Sequence, residues 1–177
     1  MRDGTSIPPE DYRIFPSVKS PVAPHPSASV SVPDGWVLVG GGAQVEYGSG
    51  LGSMLYGSFP KENSWVAEAK DHLQPDPAQV TAFAIGLKRS FLAKIGLTVT
   101  SPLVITSAPP ANHPSVTLVN QNFSFISGGA RVNWAGVGNL LTASFPQDRQ
   151  NWTAQGKDHL QPDPATITVW GIGLVPA

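Results

Sequence analysis

The sequence predicts an all-β protein: an antiparallel β-sandwich or prism-like fold built from two tandem repeats of about 87 residues with pseudo-twofold symmetry. Three observations carry this. KDHLQPDP at 70–77 returns unchanged at 157–164, and Gly41-Gly42-Ala43 returns as Gly128-Gly129-Ala130 at the same offset. Apolar and polar residues alternate along most runs between turns, the period of a half-buried strand. Clusters of Pro, Gly, Asp and Asn cut those runs into short lengths.

The repeat fixes the organisation. Trp65 matches Trp152, GSFP at 57–60 matches ASFP at 143–146, and His25-Pro26-Ser27 matches His113-Pro114-Ser115. VTAFAIGL (80–87) and ITVWGIGL (167–174) close the two copies. This gives an N-terminal lead-in at 1–13, repeat 1 at 14–90 and repeat 2 at 97–175, the two packed as one compact unit. A unit of this size holds five or six short strands. Alternation places them at 27–32, 36–47, 53–59, 65–72 and 79–87 in repeat 1. The counterparts in repeat 2 are 115–119, 123–134, 139–145, 152–159 and 166–174.

One run is locally ambiguous. SWVAEAKDHL puts Trp65, Ala69 and Leu73 at helical spacing, but its counterpart NWTAQGKDHL carries Thr153 and Gly156, both poor helix formers. Two copies of one unit fold alike, so this run is a strand. Alternation then puts Trp65, Ala67, Ala69 and Asp71 on a buried face and sends Lys70 and His72 outward, with Lys157 and His159 doing the same in repeat 2. The closing strands are apolar on both sides and should be covered on both. Gly40-Gly41-Gly42 lies within a strand pattern and marks close backbone approach. No helix pattern follows it or the Gly48–Gly52 cluster, so neither is a phosphate loop.

Composition narrows the function. Lys+Arg is 11 and Asp+Glu 12, a net charge of −1, which provides no basic field for nucleic acid or an anionic membrane. No run reaches the length of a membrane-spanning helix. Cysteine is absent, which removes disulfides, thiolate metal sites and a Cys nucleophile together. Residues 1–20 contain no apolar run of signal-peptide type.

The combination HPSASVSVPDGW, GGARVNWAGVGNLLTASFP, W-x-A-x-x-KDH and DPATITVWGIGL resembles tandem repeats of about this length in bacterial exported proteins. The resemblance covers nearly the whole chain and implies an extracellular repeat module; it carries no activity with it. The glycine-rich strands are also similar to those of the vitelline-membrane outer-layer β-prism, whose threefold plan suits two units badly.

Chemistry present in both copies is a short set. It comprises His25/His113, Lys70/Lys157, Asp71/Asp158, His72/His159 and Asp76/Asp163. His and Asp are suitable metal donors, but alternation puts Asp71 and His72 on opposite faces, and neither HxH nor HExxH occurs. A Ser–His–Asp relay meets the same objection, and no G-x-S-x-G elbow is present. Glu46 and Glu68 face Asn133 and Gln155 in the other copy, so paired glycosidase carboxylates would exist once only. Asp71, Asp76, Asp158 and Asp163 are therefore assigned to fixing turns by accepting backbone N–H bonds. No catalytic residue, metal ligand set or cofactor is expected.

What remains is binding. Tyr47 and Trp134, beside Glu46 and Asn133, form a possible aromatic edge of the type that sugars use. The expected ligand-binding residues are Lys70, His72, Lys157, His159, Glu46, Tyr47, Asn133, Trp134, His25 and His113. The expected function is a non-catalytic, exported binding or adhesion module, lectin-like, with a glycan or cell-surface ligand and no nucleic-acid partner. The main alternative is a structural, self-assembling homo-oligomer, motivated by the doubly apolar strands. A metal-dependent binding protein or hydrolase is the second alternative.

Overall fold

The computed structural model describes residues 6–47, 50 and 52–177. A 3-10 turn at Pro9–Asp11 leads into β1 (Tyr12–Ile14), β2 (Val18–Lys19), β3 (Ser27–Ser31), β4 (Trp36–Glu46), β5 (Met54–Lys61), β6 (Ser64–Lys70) and β7 (Gln79–Lys88). A short helix, α1 (Arg89–Lys94), leads on to β8 (Leu97–Val99), β9 (Leu103–Thr106) and β10 (Ser115–Val119). The chain ends with β11 (Ser124–Asn133), β12 (Asn139–Pro146), β13 (Asn151–Asp158) and β14 (Thr166–Pro176). The protein is all-β and its strand pairs are antiparallel.

Strands β3–β7 and β10–β14 begin and end within two residues of the bounds that alternation set, and the ambiguous SWVAEAK run is β6. Alternation missed β1, β2, β8 and β9. They are two to four residues long, exposed except for half-buried Leu97 and Val99 of β8, and lie along β7 or β14. Tyr12 and Arg13, within the expected lead-in, pair with Leu87 and Gly86. Residues Gly48, Ser49 and Leu51 of the second glycine cluster lie outside the described residues.

The described residues form three sheets. In the first, β7 is flanked by β4 and by β1 and β2. In the second, β13 lies between β10 and β12. The third runs β3-β6-β5-β11-β14, with β8 and β9 beside β14. Its joint is the β5–β11 pairing, with Ser58 opposite Ala130 and Gly57 opposite Arg131. Through that joint, strands from the two ends of the chain become one sheet.

Burial sorts by period two. One core cluster joins Val30, Trp65 and Ala67 of β3 and β6 to Leu38, Val80, Ala82 and Ala84 of β4 and β7. A second joins Leu118 and Ala154 to Phe125, Ala130, Val132, Ile167 and Val169. Each cluster fills the space between two sheets. The first glycine of each GGA seats a tryptophan: a Cβ at Gly41 would lie 2.3 Å from the Trp65 ring, and one at Gly128 would lie 2.5 Å from Trp152. Each indole N–H donates to a serine hydroxyl, Trp65 to Ser58 and Trp152 to Ser144, both at 3.0 Å, so both indole N–H groups are satisfied. Phe91 and Leu92 of α1 pack on Leu87.

The closing strands are covered unevenly. In β7, Val80, Ala82 and Ala84 are fully buried, whereas Phe83 and Ile85 are half-buried. Among the described residues no helix is long and apolar enough to cross a membrane.

Candidate functional site

The two KDHLQPDP turns are built alike. Each strand ends where its histidine amide donates across to a loop glycine, His72 to the Gly52 carbonyl at 2.7 Å and His159 to Gly138 at 3.0 Å. The next residue turns the chain through the left-handed region, Leu73 at φ 62° and Leu160 at φ 63°. That conformation costs a leucine about 1–2 kcal/mol. The LQPDP aspartate then holds the facing loop. Asp76 Oδ2 accepts the Gly52 and Ser53 amides at 2.9 and 3.1 Å. Asp163 accepts the Gly136 and Asn139 amides at 2.8 and 2.9 Å. Although burial works to raise it, these amides and then Lys70 hold the Asp163 carboxyl below the usual carboxylate range.

Asp71 and Asp158 do not fix these turns, which corrects the expectation. The amides they would need are taken by carbonyls, His72 N–H by Gly52 and Gln74 N–H by His72. Asp158 instead sits 3.0 Å from His113 Nε2. Asp71 Oδ1 is buried without a hydrogen-bond partner.

Lys70 and His72 do not face solvent either. Lys70 is 0% exposed and His72 5%. The Lys70 ammonium donates to the Gly136 carbonyl at 3.0 Å, lies 4.3 Å over the Trp134 ring and stands 3.9 Å from Asp163. Burial pushes its pKa down to about 8, against the pull of Asp163. His72 contacts the Val137 carbonyl and His159 Nδ1, each at 2.8 Å. Alternation chose the correct face of β6, but that face is covered by the β11–β12 loop.

The matching face of β13 is open. Lys157 and His159 are exposed, and with His72, Thr142, Met54, Leu140 and Leu141 they line a cavity of about 280 Å³. One ammonium, two imidazoles and a hydroxyl here stand over an apolar floor. Such a site can grip a turn of chain or a polar ligand with an apolar side.

The remaining expected residues are scattered. Trp134 is half-buried, with the Lys70 ammonium over its ring and ring distances of 5.5 Å to Tyr56 and 5.2 Å to His25, so it is not an open platform. Asn133 donates to Thr166 and Thr168. Glu46 is held by Lys19 and Thr81, and the Lys19 contact lowers its pKa. Tyr47 is 68% exposed. The ten expected residues therefore do not form one site.

Sequence reasoning missed one pair. Arg131 Nε donates to Glu68 Oε2 at 2.7 Å across the β5–β11 joint, and Trp170 stacks on Phe59 beside it at 4.4 Å. A signal was present: the aligned partners of these two charges, Gln44 and Gln155, are both neutral. Opposite charges gained together at two aligned positions mark a contact. Among the described residues, no three His, Asp or Glu side chains converge as a metal site would require. Comparison with protein-family models, curated proteins and solved structures found no match to the chain.

Proposed function

We propose that the chain is two copies of one β-sandwich unit acting as a non-catalytic binding module of an exported protein. Its receptor face is the open KDH face of the second unit. The observation carrying this is the contrast between the copies: Lys70 is covered by a turn of chain that also bonds His72, while Lys157 and His159 border an open cavity that His72 reaches from the other unit. The favoured ligand is therefore a polypeptide turn. The direct contact of the equivalent residues His72 and His159, at 2.8 Å, supports a pseudo-twofold relation of the units, although the β5–β11 pairing has no β12–β4 counterpart among the described residues. Glu46, Glu68 and Asp163 are each engaged by a cation or by amides, which supports binding over catalysis.

A backbone-cyclised peptide copying residues 131–139, the segment that fills the first face, tests the reading. It should shift the NMR signals of His159 and Thr142, and Lys157→Ala/His159→Ala should abolish the shifts. Unchanged spectra with saturating peptide would refute it. A second reading, carbohydrate, is favoured by exposed Tyr47 beside exposed Gln44 on an open groove of about 380 Å³. A high-valency glycan array with Tyr47→Ala as control tests it.

A further inference from the structure

We infer that the groove over the β5–β11 joint is a saccharide site, shaped for a short oligosaccharide that carries acidic groups. It is a second site, separate from the KDH face and from the groove beside Tyr47.

Period two places its residues. The first core lies against Ala28 and Val30 of β3 and Trp65 and Ala67 of β6. The alternate residues Ser27, Ser29, Val66 and Glu68 therefore take the other face. Ladder register sets them in rows: Ser27, Glu68 and Gly57 stand abreast, then Ser29, Val66 and Phe59, with Lys61 farther along β5. From the second unit, β11 sets Arg131 opposite Gly57, and β14 brings Trp170 to stack on Phe59 at 4.4 Å. These residues bound an open groove of about 530 Å³, the size of a small-ligand site.

Its chemistry fits a sugar, which has an apolar ring face and a rim of hydroxyls. Phe59, Val66 and Trp170 supply an apolar floor. Arg131 and Glu68, bonded at 2.7 Å, put donors and acceptors side by side, as neighbouring hydroxyls require. Ser27 and Ser29 are exposed beside them. Because β6 lies between β3 and β5, its amides and carbonyls are spent in ladders. The floor therefore reads a ligand through side chains and offers no edge for an extended peptide. Arg131 and Glu68 neutralise each other, while Lys61 is exposed and makes no ion pair among the described residues. Lys61 thus leaves the groove with a net positive charge. It stands four residues from Gly57, about 13 Å along β5, the reach of about two to three sugar rings.

The two copies diverge in this groove. Lys61, Glu68, Arg131 and Trp170 align with Gln147, Gln155, Gln44 and Phe83, so the charges and the tryptophan belong to one set alone. In the other set, Thr153 takes the place of Val66 and is spent on Thr117 at 2.9 Å and Gln147 at 3.1 Å. A tie between the units accounts for Arg131 and Glu68. It leaves the lysine and the tryptophan on the groove unexplained.

NMR titration of the whole chain tests the site, with tetragalacturonate and a hyaluronan tetrasaccharide as acidic probes and maltotetraose as the neutral one. At least one acidic chain should saturably shift the Ser27, Ser29 and Val66 amides and the Trp170 indole N–H. Maltotetraose should shift the same signals about tenfold more weakly, the worth of one charged hydrogen bond. Lys61→Gln should erase that preference and its salt dependence while leaving the melt unchanged. Trp170→Phe, which installs the counterpart residue, should weaken every chain alike. No shift with any probe, shifts that inorganic sulfate reproduces, or a Lys61→Gln protein that keeps the preference would each overturn the proposal. So would binding that Tyr47→Ala abolishes and Trp170→Phe leaves intact. Failure of the cyclic peptide bears on the KDH face alone and leaves these outcomes unaltered.

Discussion

Replacing Gly129 by alanine tests the β5–β11 joint where its geometry is tightest. The added Cβ would sit 2.4 Å from the Ser58 oxygen, 2.5 Å from Phe59 Cα and 3.1 Å from Phe59 Cβ. Carbon atoms settle near 3.5–4.0 Å, so β5 must withdraw by about 1 Å. Forced overpacking alone costs about 1–3 kcal/mol. Withdrawal also strains a joint with only two registered pairs, Ser58 with Ala130 and Gly57 with Arg131, each ladder bond adding about 1 kcal/mol. It further loosens the Phe59–Trp170 stack and the Arg131–Glu68 pair. Together these give a loss of about 3 kcal/mol, or roughly 6–12 °C in Tm for a chain of this size. Gly42→Ala is the internal control. With no atom within 4 Å of the new Cβ, it should leave the protein unchanged or stabilise it by about 0.5–1 kcal/mol. Urea unfolding, followed by tryptophan fluorescence and far-UV circular dichroism, measures both. Equal midpoint shifts for the two alanines would refute the reasoning.

Lys70 should give the protein an alkaline signature. Its folded pKa of about 8 lies below the ordinary 10.5, so between those values the unfolded chain holds a proton that the folded chain has released. Stability therefore rises with pH across that window, by about 3 kcal/mol from this group, and is lower beneath it. Urea midpoints at the two ends of the window should differ in the wild type but not in Lys70→Met; an equal rise in both would exclude Lys70 as the source. Asp163→Ala should cost about 2–4 kcal/mol, stranding two amides and a buried ammonium, whereas Asp71→Ala should cost about 0.5 kcal/mol or less. Because the Asp163 carboxyl is held below its ordinary 3.8, its contribution is complete above that pH and fades as acid protonates it. An acid melt that is identical in wild type and Asp163→Ala would contradict this.

Much of this was legible in the residues. Period-two alternation located β3–β7 and β10–β14, since a strand with one buried face writes that face into every second position. Comparison of the copies found Trp65 and Trp152, each seated over a glycine, and Asp76 and Asp163, each holding a loop amide. Such contacts are made within one unit, so both copies must retain them. The short strands β1, β2, β8 and β9 escaped because two to four residues are too few to display a period.

The sequence by itself determined the all-β class, the positions of the longer strands, the duplicated turns and the glycines as points of close backbone approach, because each depends on residues within one unit. Only the tertiary structure decided which copy of a matched residue is covered. Lys70 and Lys157 are the same residue in the same local sequence, yet one is sealed beneath Trp134 and Gly136 and the other borders open solvent. Local alternation orients a side chain on its strand, but its burial depends on what crosses that face. Here that is a loop more than sixty residues away, brought in by a joint that uses β5 of the first half and β11 of the second. An unequal contact between near-equal halves leaves no trace in either half's own pattern, except in the pair that changed together, Arg131 and Glu68.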